Sequence, residues 1–504
     1  MDFMFLSTSD QTVLNFDARA EIISKDRFFD RAKKYISTDP ETLRYRQELF
    51  CDLLNSEEIS RFLSDFSERL KEYSSLMQEQ PGTKDGEQKM HNILVPTVYV
   101  EMTRFIHNSL SPHMQAAKSD AIKALFSLVS SDMESDEFKR LSQFYETNAD
   151  KLRAVSSVTI GVNLNAVLEP KEAGLVSINS EQYKSGDLLD RILRMDFEKD
   201  EFHCLAPLVT LDKKLGYQDS QRVNFALLRA MSQVMNSGLA HCNSQCLRYA
   251  QKKLTAYYEM AESLAFVVEA IKRLRIFKDK NIPLCFPEIS EDRGMHFVSL
   301  YDDGLCQAKP KDEIVPNTIS LEPGVCCYIL SGPNSGGKTV FLNSVAVAQY
   351  YFQLGMPVPA KKASLPICDA IFKVSVEEQA NITPVGRFEK ECITLSEVLG
   401  QFTENSLALI DEAFTSTSAS EAVPIAANFI YELCRAGGKC VFITHHHELC
   451  DAQPGIKQCG SKVGYLHTQA TDDRRTFTVH QGKADSGSYA QSIARKYGLL
   501  GESN

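Results

Sequence analysis

One eight-residue run limits what this chain can fold into more than any other feature. Gly332-Pro333-Asn334-Ser335-Gly336-Gly337-Lys338-Thr339 fits the pattern G-x-x-x-x-G-K-[ST]. It follows the apolar run CCYIL at 326–330 and precedes the helical-looking FLNSVAVAQYYFQLG. That is the strand–loop–helix setting in which the pattern works. Glycines let the backbone curl so that its N–H groups point inward at phosphate oxygens. The helix that follows adds the partial positive charge of its N-terminus. Lys338 supplies a point charge for the β- and γ-phosphates of a nucleotide, and Thr339 a hydroxyl for magnesium. Residues 332–340, from Gly332 through Val340, are therefore read as the binding segment for ATP.

Two further apolar runs end in groups suited to the same chemistry. SLALID at 406–411 ends on Asp411 and is followed by Glu412. GKCVFIT at 438–444 is followed by His445, His446 and His447. Short apolar runs flanked by helical stretches predict buried parallel strands of an α/β sheet. Asp411 is expected to hold Mg2+ through water, Glu412 to polarise the attacking water, and His445 to reach the γ-phosphate. Lys338, Glu412 and His445 form the expected catalytic set, and Thr339 with Asp411 the metal set. A triple-histidine metal site is the lesser reading, because consecutive residues on an extended segment point to alternate faces. His241, Cys242 and Cys246 have metal-like spacing but no evident fourth ligand, and Cys246 is read as a buried structural cysteine. No G-x-S-x-G elbow is present, so nucleophilic catalysis has no support.

Upstream the patterning changes. Residues 1–155 predict a helical core. Asp39 is placed as an N-cap with Pro40 at the first helical position. Leu43, Phe50, Leu53 and Leu54 follow near helical spacing. The polar segment 79–89 reads as an exposed loop, with helix again over 104–153. SVTIGVNLNAVLEP at 157–170 and EAGLVSI at 172–178 have strand character, so 156–221 reads as a mixed insert. From 222 to 282 the helical signal returns. Leu254, Tyr257, Ala261, Leu264, Val268, Ile271 and Leu274 are spaced close to a heptad. This is either an ordinary buried helix face or a long lever helix that transmits movement. The fold class expected is multi-domain α plus α/β. A helical core and lever region precede a P-loop NTPase domain of ABC-like type at 283–504.

Composition sets the outer bounds. The chain has 504 residues, 43% apolar and 24% charged, which excludes a mainly disordered chain, a collagen-like fibre and a small disulfide scaffold. Its 14 cysteines are sparse for that length. Cys326, Cys327 and Cys440 lie inside apolar stretches, so reduced thiols in a cytoplasmic protein are expected. No apolar run approaches the ~18 residues of a spanning helix, and the N-terminus lacks the pattern of a secretory signal. The net charge of −11 argues against coating nucleic acid by bulk electrostatics but leaves room for a local basic patch.

The motifs also occur in a particular order. GPNSGGKT is followed by GMPVPAKKA (355–363), IDEAFTSTSAS (410–420), THHHEL (444–449) and KADSGSYAQSIARKYGL (483–499). This succession closely resembles the ATPase domain of the MutS family of DNA mismatch-repair proteins. The resemblance is strong over about 283–500. Upstream it is weaker: DPETLRYRQELFCDLLNSEEI is similar to the start of the family's helical core, and AFVVEAIKRLRIFKDKNIPLCFPEIS to its lever helix. It implies ATP and Mg2+ as cofactors and a homodimer with two composite ATP sites. It also implies lever helices that couple ATP state to a clamp around DNA. Lys338 and Thr339 would bind phosphate and magnesium, Asn334 would touch the phosphates, Asp411 would support the metal, Glu412 would activate water, and His445 would sense the γ-phosphate.

Departures from the family pattern are as informative. The chain is expected to lack the mismatch-reading and connector domains, and the insert at 156–221 is short for the family's DNA clamp. C-terminal dimerisation helices are also expected to be absent. The loop after Asp411-Glu412 is Ala413-Phe414-Thr415-Ser416-Thr417-Ser418 where the family usually has Gly-Arg-Gly-Thr-Ser-Thr. The trans-acting Ser-Thr-Phe appears as Gly386-Arg387-Phe388, so Arg387 either replaces the partner-contacting serine or is a surface arginine. Lys272, Arg273, Arg275, Lys278 and Lys280 are either phosphate contacts or a solvated and capping cluster. Two functions follow. The first is an ATP-dependent DNA-binding protein, a dimeric clamp gated by hydrolysis on duplex, mismatched or branched DNA in repair or recombination. The alternative is a nucleotide-switched assembly module with slow turnover and no direct DNA role.

Overall fold

The computed structural model describes residues 27–74, 76, 85–153, 157–164, 170–179, 181–182, 244–333, 336–375, 386–450, 454–470 and 475–483. In chain order the elements begin with helices α1 (Arg27–Ala32), α2 (Pro40–Asn55), α3 (Glu57–Glu72), α4 (Asp85–Leu110), α5 (Asp120–Glu134) and α6 (Asp136–Arg153). Strands β1 (Ser157–Leu164) and β2 (Pro170–Asn179) follow, then helices α7 (Ser244–Glu259) and α8 (Ala261–Asp279). The remainder alternates: β3 (Glu288–Ile289), β4 (Met295–Leu300), α9 (Asp303–Ala308), β5 (Asn317–Leu321), β6 (Cys327–Ser331), α10 (Lys338–Gln353), β7 (Lys362–Leu365) and β8 (Ile371–Ser375). It ends with α11 (Arg387–Gln401), β9 (Leu407–Asp411), α12 (Ala419–Ala436), β10 (Lys439–Ile443), α13 (Pro454–Cys459), β11 (Val463–Ala470) and β12 (Arg475–Gln481). These fall into two compact units. One takes residues from 61–117 and 122–262, the other those up to Ser60, 118–121 and from Ser263 onward.

The first unit is helical with one hairpin. Helices α4, α6 and α7 pack on one another. Tyr99, Phe138 and Tyr257 are buried between them. The buried carboxylate of Asp132 accepts from Tyr99 Oη at 3.0 Å, from Lys253 Nζ at 2.5 Å and from Tyr249 Oη at 3.4 Å. Those donors offset the cost of taking the charge out of water. Strands β1 and β2, in segments expected to have strand character, pair antiparallel from Ser157↔Asn179 to Leu164↔Pro170.

Two helical expectations change in detail. Residues 85–89, read as loop, open α4. Residues 79–84 lie outside the described residues, as do 183–243 and with them His241 and Cys242. The expected heptad is divided at Met260, whose N–H bonds Tyr257 O at 3.2 Å and ends α7. After that break the buried face of α8 is Leu264, Val267, Ile271 and Leu274, so Val267 takes the place expected of Val268.

The second unit is an α/β arrangement. A six-stranded sheet runs in the order β12-β11-β6-β10-β9-β8. From β11 to β8 every pair is parallel, and β12 is an antiparallel edge. Cys327–Ser331, Leu407–Asp411 and Lys439–Ile443 are buried throughout, which is why they read as unbroken apolar runs. Each fully buried Leu, Ile or Phe there contributes about 1.5–3 kcal/mol. A second sheet has the order β3-β7-β4-β5. Helix α10 is buried on nearly every side. Phe28 and Phe29 of α1 pack on Tyr350 and Tyr351 of α10. On α2, Asp39 is the N-cap and accepts from Thr42 N at 2.7 Å, as the sequence predicts. The Gly355 turn after α10 (φ +75°) meets α2 so closely that a Cβ would sit 2.3 Å from the Cβ of Arg46.

Candidate functional site

The parallel strands bring three separate motifs to one edge of the sheet. The register pairs Leu330 with Ile443 and Ile443 with Asp411. The loop after β6, the end of β9 and the end of β10 therefore emerge side by side. Open parallel sheets carry ligands at this carboxyl edge.

Gly332 leaves β6 with φ +138° and packs so tightly on β11 that a Cβ would lie 2.3 Å from Thr468 Oγ1. Gly336 is equally confined: a Cβ there would lie 2.7 Å from Thr468 Oγ1 and 2.8 Å from Pro333 O. Gly336 N donates to Pro333 O at 3.1 Å. Gly337 adopts φ +89° and is the N-cap of α10. Only glycine fits such positions without strain. Asn334 and Ser335 lie outside the described residues. Lys338 is buried, and its Nζ donates to Gly332 O at 2.9 Å and Pro333 O at 3.0 Å, so it spans the loop it follows. Burial pulls its pKa below the ordinary lysine value, and Glu412 and Asp411 push it back up.

Thr339 Oγ1 donates to Asp411 Oδ1 at 3.3 Å. Asp411 is buried, and burial raises its carboxyl above the ordinary range; the Thr339 bond opposes this and Glu412 adds to it. A hydroxyl and a carboxylate held together are hard oxygen donors of the kind magnesium takes. Glu412 has φ +56° and Phe414 φ +63°, left-handed values uncommon for residues with side chains. That turn brings Glu412 Oε1 to 2.5 Å from His445 Nε2. The His445 bond lowers the Glu412 pKa, with burial opposing. His446 N instead donates to Thr444 Oγ1 at 3.0 Å, and the His447 side chain lies outside the described residues. Among the described residues no group of three or more His, Cys, Asp or Glu side chains is placed to hold a metal ion. Val340 stands in the first turn of α10 with its side chain exposed, and its carbonyl accepts from Ser344 Oγ at 2.8 Å.

Two residues at this edge carry no motif. Thr468 lies on β11 with its Oγ1 buried and without a hydrogen-bond partner. Phe477 on β12 has φ +56°, is exposed, and lies so near Gly337 that a Cβ there would be 3.5 Å from its ring. Buried Asn317 fixes that conformation: Nδ2 donates to Phe477 O at 3.4 Å and Oδ1 accepts from Val479 N at 2.7 Å. No spacing rule could find either residue, because β11 and β12 reach the site through sheet order alone.

Comparison with known proteins agrees with the geometry. The model of MutS domain V matches residues 328–500, and that of the MutS2 N-terminal domain matches 38–278. The chain belongs to the MutS family. A DNA mismatch repair protein MutS of Streptococcus thermophilus is 25% identical over 458 residues, 86% of this chain and 51% of that protein. One of Leptospira interrogans is 32% identical over 218 residues, 41% of this chain and 25% of that protein. The DNA mismatch repair protein Msh2 of Dictyostelium discoideum is 32% identical over 218 residues, 40% and 22% of the two chains. This MutS-family chain thus spans about half the length of the Streptococcus relative. Among its described residues no helix is long and apolar enough to cross a membrane.

Arg387 opens α11, exposed, 3.7 Å from Glu391 Oε1, which also accepts from Ser416 Oγ at 2.8 Å. Phe388 beside it packs on Phe414, so this segment meets the loop that follows Glu412. The basic run after Lys272 is partly taken up inside the molecule. Arg273 is paired with Asp303 and Tyr351. Lys278 Nζ donates to Leu54 O, and Lys280 Nζ to the carbonyls of Cys306, Gln307 and Lys309 at the end of α9.

Proposed function

We propose that this chain is a P-loop ATPase of ABC-like architecture that binds and hydrolyses ATP and couples that cycle to DNA. The observation that carries the reading is the meeting of Lys338, the Thr339–Asp411 pair and the Glu412–His445 pair at the ends of three adjacent strands. Gly332, Gly336, Gly337 and Lys338 would cradle the phosphates, with Asn334 and Ser335 completing the loop. Lys338 would exchange its two loop carbonyls for phosphate oxygens. Thr339 and Asp411 would hold magnesium, which when bound neutralises charge on the phosphate oxygens. Glu412, kept ionised by His445, would take the proton of the attacking water, and His445 would then face the γ-phosphate. The exposed Phe477 ring beside Gly337 offers a flat apolar face to the nucleotide base.

The finer reading is a cytoplasmic homodimer with composite ATP sites that acts as a clamp on duplex, mismatched or branched DNA in repair. The names of its relatives and the family match support DNA as the partner. A second reading, a nucleotide-switched assembly module, is favoured by the charge of −11 and by the internal engagement of Arg273, Lys278 and Lys280. Steady-state ATP hydrolysis, with and without homoduplex, mismatched and four-way-junction DNA, separates the two. Lys338→Ala and Glu412→Ala are the controls. DNA stimulation that both variants abolish and that fades as salt rises supports the clamp. Turnover indifferent to all three DNAs supports the module, and turnover surviving both substitutions overturns the site.

A further inference from the structure

One buried polar group beside the phosphate loop has no part in the chemistry of the three motifs. Thr468 on β11 is 3% exposed, and its Oγ1 is buried with no hydrogen-bond partner. Buried hydroxyls nearly always have a partner, so each exception calls for a reason. Sheet register explains where this one stands. β11 runs parallel to β6 with His467 opposite Ser331, so the next residue, Thr468, comes up beside Gly332. The phosphate loop lies directly on it. A Cβ on Gly332 would meet Oγ1 at 2.3 Å, and one on Gly336 would meet it at 2.7 Å. The same point above Gly336 is 2.8 Å from Pro333 O, so the hydroxyl and that carbonyl flank one small position.

That carbonyl is already taken. Pro333 O accepts from Lys338 Nζ at 3.0 Å and from Gly336 N at 3.1 Å, and Lys338 Nζ also donates to Gly332 O at 2.9 Å. Two donors use both lone pairs of a carbonyl oxygen. Thr468 thus stands beside an acceptor that Lys338 occupies. When the ammonium turns to a phosphate oxygen, one lone pair of Pro333 O is freed next to an unpaired hydroxyl.

We propose that Thr468 is a positioning residue for the nucleotide phosphates: its hydroxyl takes over the Pro333 carbonyl as Lys338 leaves it. The proposal rests on the reading of this edge as an ATP site. The exchange keeps the loop's curl while the lysine changes partner. A bond made only with nucleotide bound adds to nucleotide affinity and not to the stability of the chain alone. Lys338 serves the β- as well as the γ-phosphate, so ATP and ADP are held alike.

The test uses the full chain with two substitutions. Thr468→Val nearly keeps the shape and removes the hydroxyl; Thr468→Ser keeps the hydroxyl. Calorimetric titration with Mg2+ and either ADP or a non-hydrolysable ATP analogue should give Kd about three- to tenfold weaker for Thr468→Val, the effect of one neutral hydrogen bond. Thr468→Ser should bind close to the unsubstituted chain. For ATP turnover, KM should rise in Thr468→Val with kcat unchanged. Its Tm without nucleotide should not fall, because no bond is lost there. In the Lys338→Ala background the Pro333 carbonyl is open to Thr468 from the start, so adding Thr468→Val should lower the Tm in that background alone. Unweakened binding by Thr468→Val overturns the proposal and leaves the ATP site standing. So does a fall in the Tm of Thr468→Val by itself, which marks a packing role. Failure of the unsubstituted chain to bind either nucleotide overturns the site, and the proposal with it.

Discussion

Glu412 Oε1 lies 2.5 Å from His445 Nε2, and this bond ties the ends of two adjacent parallel strands across the site. Its effect on the carboxyl has a definite sign. The folded-state pKa of Glu412 is lowered, so its contribution to stability is present above the unfolded value and lost as pH falls through the lowered one. His445→Ala removes the main cause. The acid limb of the turnover profile should move to higher pH in that variant, with ATP still bound. Glu412→Gln should lower turnover by about 10²–10⁴-fold with nucleotide affinity kept. Paired kcat and Kd measurements check both, and an unmoved acid limb counts against the bond.

Asp411 works in the opposite direction. Burial raises its pKa, so the folded protein holds that proton more tightly than the unfolded chain does. Its contribution to stability therefore falls as pH rises through the raised value. Asp411→Asn should raise the Tm of the nucleotide-free protein at pH 8 while erasing the extra Tm shift that Mg2+ gives with ATP. Differential scanning calorimetry with and without Mg2+ reads both effects.

Gly332 has no room for a side chain, and its φ of +138° disfavours one. Gly332→Ala should cost about 1–3 kcal/mol from backbone strain alone. Because the clash also involves the Thr468 backbone, at 3.0 Å and 3.1 Å, Thr468→Ala should not restore it. Urea denaturation of the single and double variants measures this. Recovery in the double variant would place the strain in the Thr468 hydroxyl instead.

The trans contact proposed for Arg387 gives a kinetic expectation. Arg387 is exposed and only loosely paired with Glu391, which Ser416 also binds. Arg387→Ala should slow turnover about tenfold or more if the guanidinium reaches a partner's nucleotide. It should also weaken ATP-dependent dimerisation seen by light scattering. Unchanged turnover and assembly would make Arg387 a surface residue.

Much of this arrangement was legible before any coordinates. GPNSGGKT between an apolar run and a helical run determined that β6 turns into α10, because phosphate-loop glycines and a buried strand leave few alternatives. LALID and CVFIT determined two more buried strands, since unbroken apolar runs suit a sheet covered on both faces. Asp39-Pro40 determined the start of α2 through local capping chemistry. These are short-range constraints, written in residues close together in the chain.

Tertiary structure alone decided the rest. Sheet order put Thr468 of β11 against Gly332 and Phe477 of β12 against Gly337, and no period or motif links residues so far apart. It also placed α1 and α2 on α10, with Arg46 against Gly355, where the sequence suggested only a helical segment. On α8 packing buried Leu264, Ile271 and Leu274 as the spacing suggests, but Val267 in place of Val268. The sequence set which segments become strands and helices through local sterics and solvent preference. Which side chains meet followed from long-range packing, which no local pattern encodes.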